Sequence, residues 1–397
     1  MFIIQSRHLG VLALCTLMSC SESLPAPRDM ELSESSHIDS VSGDLRPTDA
    51  VFRDTVLDQR HSDFAVDDAT TIDHRAFDQV VADVISIDRG AADLGQIDQT
   101  ISSDLSQRDS APSSKPELIA SGQDGANDIT LDSTYVYWTT LFGDTVMRRA
   151  KVGGPVEVIA SAQNGASGIA VDGTHVYWCT HHGFNNDTVR RRLKSGGTIE
   201  TIASKQNECA KIALDNTHVY WTNTGSDSVL RRLKTGGTVE IVASKQVGAW
   251  NIALDSTHVY WTTINAKTIM RRAKSGGSLE TIATAQDDPR GLAVDATHVY
   301  WTTHVGATVM RKAKTGGKLE TIATQQGAAR GIAVNNTHIY WVGYGLVGDG
   351  TLRRRDKVGG KIETLASKQN APRNIAIDVT YAYWTTLLGD TVMRIRL

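Results

Sequence analysis

The chain has 397 residues, a formal net charge of −3 and 40% apolar residues, enough apolar mass for a packed domain of ordinary size. The average hides two opposed regions: Ser21 to Lys115 holds 20 acidic and 8 basic residues, and Pro116 onward holds 24 and 32, for local balances of −12 and +8. The one sustained hydrophobic run, near the N-terminus, is too short to cross a bilayer, which excludes a protein built on transmembrane helices.

That run comes first in chain order. Arg7 and His8 precede apolar residues from Leu9 to Met18, the layout of a secretory signal peptide over residues 1–19. Leu17, Ser19 and Cys20 resemble a bacterial lipobox, with Met18 bulkier than is usual there. The resemblance implies that Cys20 becomes a lipidated N-terminus. The protein is then expected in the bacterial cell envelope, at the outer membrane or cell surface, facing away from the cytoplasm and touching the membrane only through its lipid.

Residues 20–115 form an acidic, low-complexity segment with no Trp, no Tyr and little to build a core. Asp recurs every five residues, as in Asp63, Asp68, Asp73, Asp78 and Asp83, and that period matches neither a helix nor a strand. A pentapeptide solenoid needs Leu or Phe at each coil centre, whereas Ser40, Ala50, Thr55, His74, Gln79 and Arg89 follow the Asp here. The segment reads as a disordered spacer, with an end-to-end distance of roughly 50–60 Å before charge repulsion extends it.

From residue 116 to 397 one unit is written seven times. Tyr-Trp pairs fall at Tyr137, Tyr177, Tyr220, Tyr260, Tyr300, Tyr340 and Tyr383, spaced 40, 43, 40, 40, 40 and 43 residues. Each unit has four short strand-like runs; in the fourth copy they are Asn251 to Leu254, His258 to Thr262, Thr268 to Lys274 and Leu279 to Thr284. Asp255 opens an Asx-turn between the first two, and Gly276-Gly277 suits a two-residue hairpin between the last two. Four antiparallel strands per unit around an axis make a propeller blade, so the expected fold is an all-β, seven-bladed β-propeller. Glu117 to Ser121 is a fourth strand without its first three, and Asn374 to Arg394 is three strands without a fourth, so the N-terminal strand should close the last blade.

Each unit reads Ile-Ala-Val/Leu-Asp, then Val-Tyr-Trp-Thr, then an Arg-bearing strand. This resembles the YWTD repeats of the low-density-lipoprotein receptor class. The fourth motif residue departs from Asp in every copy, being Thr140, Thr180, Asn223, Thr263, Thr303, Gly343 and Thr386. Those receptors have six blades, against seven copies here. The resemblance implies an extracytoplasmic interaction propeller and no particular ligand.

Strand alternation sorts the loops by face. Turns one–two and three–four share one end and are nearly uniform, with His175, His218, His258, His298 and His338 recurring at one position. Residues on different blades are too far apart for one metal ion, so these histidines are read as structural, and no metal or cofactor is expected. Loops four–one and two–three share the opposite end, where the copies differ and binding specificity can reside. Lys211, Trp250, Arg290, Arg330 and Arg373 stand there near the axis, joined by His181, His182, Phe184, His304 and Tyr344. The arginines make the mouth positive, which suits a carboxylate, a sulfate or an acidic glycan, unless they pair with Asp287, Asp288 or backbone carbonyls.

The third strand carries the basic runs Arg148-Arg149, Arg190 to Arg192, Arg231-Arg232, Arg271-Arg272, Arg311-Lys312 and Arg353 to Arg355, and the fourth answers across the hairpin with Glu157, Glu200, Glu240, Glu280, Glu320 and Glu363. Such internal pairs argue against a nucleic-acid surface. Cys179 and Cys209 approach the same face of neighbouring blades and form a possible disulfide in an oxidising compartment. The leading reading is a monomeric, non-catalytic binding module for a protein, a glycan or another anionic ligand. The alternative is a propeller enzyme of the streptogramin-lyase type, with His181, His182 or His304 working beside Asp128 or Glu208 at the channel mouth.

Overall fold

The computed structural model describes residues 115–181, 183, 185–345 and 348–397; the expected signal peptide, Cys20 and all of the acidic spacer but its last residue lie outside them, as do His182 and Phe184. Among the described residues every regular element is a strand, and 28 of them, numbered β1 to β28 along the chain, make seven four-stranded antiparallel sheets. In the first blade the order from the axis outward is β2 (Ala126–Leu131), β3 (Tyr135–Thr140), β4 (Thr145–Ala150) and β5 (Glu157–Ala160). The inner strands of the other six are β6 (Ala166–Val171), β10 (Cys209–Leu214), β14 (Ala249–Leu254), β18 (Pro289–Val294), β22 (Ala329–Val334) and β26 (Pro372–Ile377). Each contacts its neighbour, and β26 returns to β2, so the ring is closed.

The N-terminal strand closes the last blade as expected. Strand β1 (Glu117–Ala120) pairs antiparallel with β28 (Thr391–Arg396), and Glu117 takes Arg394 as its partner in register and as an ion pair at 2.7 Å. The other six blades repeat the pair within one hairpin, from Arg148–Glu157 to Arg354–Glu363 at 2.7–2.8 Å. The arginine next along the strand does something else: Arg149 and Arg192, for example, donate to the carbonyls of Gly154 and Gly197.

The core lies between blades. The period of two in Val-Tyr-Trp sends Tyr137 toward the following blade, and Val136 and Trp138 toward the preceding one. Tyr137, Val146, Ile159 and Ala160 of the first blade thus pack with Ala166, Ile169, Val176 and Trp178 of the second, and the pattern recurs at all seven seams. Each buried indole N–H is satisfied by a glutamine fifteen residues earlier, as in Trp261 Nε1 to Gln246 Oε1 at 2.9 Å. All seven blades have this bond.

The turn chemistry holds at one hairpin and differs at the other. Asp255 Oδ1 accepts from the N–H groups of Thr257 and His258, closing the expected Asx-turn. Its Oδ2 accepts from the Tyr260 hydroxyl and from Lys314 of the next blade. The Gly276-Gly277 turn is longer than a two-residue hairpin: it joins β16 (Thr268–Ala273) to β17 (Glu280–Ala283). Both glycines have φ near +100°, and the Gly277 carbonyl accepts from Arg272, so they shape a broader loop.

Candidate functional site

The mouth of the axial channel is built by the first three residues of the inner strands. A bulge follows the first residue in every blade, as between Ala126 and Ile129, and it turns the second and third residues out of the ladder toward the axis. The third residues are Asp128, Gly168, Lys211, Asn251, Gly291, Gly331 and Asn374. Lys211 Nζ reaches over Gly168 to Asp128 Oδ1 at 2.7 Å, and a Cβ on Gly168 would lie 2.8 Å from the Lys211 Cα. Asp128 also accepts from Asn374 and from the Ile169 N–H at 3.0 Å, while Asn251 donates to the Arg290 carbonyl at 2.9 Å. Hydrogen bonds therefore tie this ring together and consume Asp128, the aspartate that the sequence offered to a catalytic reading.

The second residues form the ring above and divide it unequally. Blades one to three contribute the buried Asn127, Ser167 and Ala210, and blades four to seven contribute Trp250, Arg290, Arg330 and Arg373. Arg290 is 6% exposed, stacks on Trp250 at 4.6 Å and pairs through Nε with Asp288 at 2.6 Å. Asp287, the other expected partner, pairs instead with Lys267. Arg330 lies 4.1 Å over the Tyr344 ring and donates to His304 Nε2 at 3.4 Å; its Nε is buried with no hydrogen-bond partner. Arg373 is half-buried and makes no hydrogen bond or ion pair with the described residues. Burial and the charges of Arg373 and Arg290 hold the Arg330 guanidinium well below its usual value. Burial and Arg290 also lower the Arg373 pKa, against Tyr344 and Asp128.

Loop residues complete the cluster. Asp288 occupies a position that is glycine in three other blades, with φ +55°. This left-handed backbone presents its carboxylate to Arg290 and, 3.2 Å away, to His304 Nδ1, while its carbonyl accepts from the His304 N–H at 2.8 Å. Burial lowers the His304 pKa against the opposing pull of Asp288, so the ring is neutral near pH 7: Nδ1–H donates to Asp288 and Nε2 accepts from Arg330. Tyr344 meets His304 edge-on at 6.1 Å.

The structure therefore gathers Trp250, Arg290, Arg330, Arg373, His304 and Tyr344 with Asp288, and turns Lys211 inward to Asp128. His181 stands apart on the second blade, where its N–H is bound to the Gly165 carbonyl and its Nδ1 is buried without a partner. Asp288 was read only as a neutraliser; the signal for its larger part is an acidic residue at a position where other blades carry glycine. Cys179 and Cys209 are both buried as free thiols in mutual contact, so no disulfide joins them in this structure; burial and Cys179 raise the Cys209 thiol pKa.

A closed ring of seven four-stranded blades with a charged, asymmetric mouth defines the chain as a seven-bladed β-propeller. No family model matches the sequence, and no curated protein matches it. Among solved structures, virginiamycin B lyase from Staphylococcus aureus superposes with a TM-score of 0.61 at 15% identity, covering 71% of this chain and 98% of that one. A catalytically inactive variant of that enzyme with quinupristin gives the same TM-score at 16% identity, covering 71% and 99%. The WD40 propeller of Doa1 gives 0.59 at 15% identity, covering 71% and 97%. The likeness is one of fold.

Proposed function

We propose that this propeller is a lipid-anchored, extracytoplasmic binding module that captures an anionic ligand at its variable face. The observation that carries the reading is the half-ring of Arg290, Arg330 and Arg373, in which only Arg290 has a carboxylate partner among the described residues. Guanidinium groups cannot shed their charge at physiological pH, and enclosing them without counter-charge is costly unless a ligand supplies it. Trp250 and Tyr344 add flat apolar surface beside the charge, as a protein side chain or a sugar ring requires. The YWTD-like motifs favour an interaction propeller, and Leu17, Ser19 and Cys20 favour the lipid anchor.

The test is a ligand screen with acidic glycans and acidic peptides, repeated with charge-reversed Arg290, Arg330 and Arg373. Binding lost in the triple variant supports the mouth, and binding that is unchanged removes it. A Cys20→Ala protein that still fractionates with membranes would defeat the anchor.

One observation favours a second reading. Asp288 and His304 form a carboxylate–imidazole pair at the mouth, and a propeller of similar fold is a lyase. Against it, His304 Nε2 already accepts from Arg330, so the imidazole has no vacant position for a substrate proton. Turnover of any substrate that vanishes in a His304→Gln variant would establish the enzyme.

A further inference from the structure

We infer that the group captured at the mouth is a doubly charged oxyanion, held jointly by Arg330 and Arg373. This rests on the anion-binding reading above and specifies it by charge. Four cations, Lys211, Arg290, Arg330 and Arg373, face two carboxylates, Asp128 and Asp288. Each carboxylate is already engaged at close range, Asp128 by Lys211 at 2.7 Å and Asp288 by Arg290 at 2.6 Å. Two positive charges are left over, on Arg330 and Arg373.

These two charges stand on neighbouring inner strands, β22 and β26, at equivalent positions. The two strands pack side by side in the ring, so both side chains open onto the same sector of the mouth, where one ligand group can meet them. Deprotonation cannot relieve the excess, because arginine stays charged. His304 adds no charge while it donates to Asp288 and accepts from Arg330. Tyr344 backs Arg330 on one face and fixes its plane; Nη2 also donates to His304, and the remaining N–H groups, the unpartnered Nε among them, are left to a planar or tetrahedral oxyanion. A monoanion would leave one guanidinium uncompensated; a sulfate or phosphate monoester dianion compensates both.

Inorganic sulfate and methyl sulfate have the same tetrahedral head and differ by one charge, so they separate charge from shape. Titrated calorimetrically into the full chain at low ionic strength, sulfate is expected to bind at least about tenfold more tightly than methyl sulfate or acetate. Arg373→Met and, separately, Arg330→Met should each bring sulfate down to the methyl sulfate level, with near-ultraviolet circular dichroism confirming that the ring is intact. If all three anions bind equally and the variants weaken all of them alike, the dianion inference falls while anion binding stands. If the folded protein binds none of them, both fall. Inorganic phosphate and a phosphate monoester, added to the same series, report whether the ester oxygen is tolerated.

Discussion

At the residue scale, the repeat is held by side chains whose partners lie far apart in sequence. Gln246 is the only hydrogen-bond partner shown for the buried Trp261 indole, so Gln246→Met should leave an orphaned donor and cost about 1–3 kcal/mol, read from the denaturation midpoint. Six aspartates, Asp132, Asp172, Asp215, Asp255, Asp295 and Asp378, share one environment. Burial opposes their ionisation, but a lysine from the next blade and two backbone N–H groups outweigh it, and Asp132 falls to about 2. Depressed carboxylate pKa values stabilise the fold above the unfolded value near 3.8 and cease to do so as pH falls through the folded value. Stability should therefore decline from just under pH 4 toward pH 2 and below, with a shallower slope in Asp215→Asn. The Tyr-Trp rhythm made the blades legible from sequence alone. The glutamines recur with that same rhythm, fifteen residues before each Trp, but spacing alone does not show that a polar side chain turns inward to a buried indole.

At the scale of the element, one seam is built differently. Lysines from successive blades reach the Asx-turn aspartates of the blade before, as Lys151 reaches Asp378 across the closure at 2.9 Å. The sixth blade has Asn335 where the others have Asp, and the seventh has Leu397 where the others have Lys. Leu397 packs in the apolar cluster containing Tyr340, where elsewhere a lysine ammonium lies over the equivalent tyrosine ring. Charge has been removed from both sides of the seam together. Asn335→Asp alone should destabilise by up to about 1 kcal/mol, and adding Leu397→Lys should recover the loss, a coupling that a double-mutant cycle reads directly. Pairs of this kind escaped the sequence because about sixty residues separate the partners. The hairpin was misread for a local reason: two adjacent glycines suit a tight turn, and only the neighbouring arginine's bond to a carbonyl shows the loop to be wider.

At the scale of the whole molecule, the closed ring lets the mouth be unequal while the scaffold stays uniform. The positions of Arg290, Arg330 and Arg373 were legible because strand register places equivalent residues on one ring. Asp288 as a partner was among the readings left open by the sequence, but the contacts of Arg330 with His304 and Tyr344 were not legible, since they depend on how loops fold onto each other. Closure by β1 can be weighed against a covalently continuous blade. Ile119→Ala and Ile159→Ala empty equivalent positions at the closing seam and at the next one, both 6% exposed, and each should cost about 2–5 kcal/mol. A much smaller loss at Ile119 would show the closing seam to be the looser one. Strand β1 also sets how the molecule answers a mechanical pull. Tension transmitted along the chain from the N-terminal side of Glu117 meets β1 first, and among the described residues β1 is held to the ring by the β28 ladder with its Glu117–Arg394 pair, by the apolar seam and by the Arg149 bond to the Ile119 carbonyl. The propeller should therefore yield by peeling at one clasp before any other blade gives way. Force spectroscopy should detect a first rupture releasing only the few residues of β1, and a first event that frees a whole blade would contradict it.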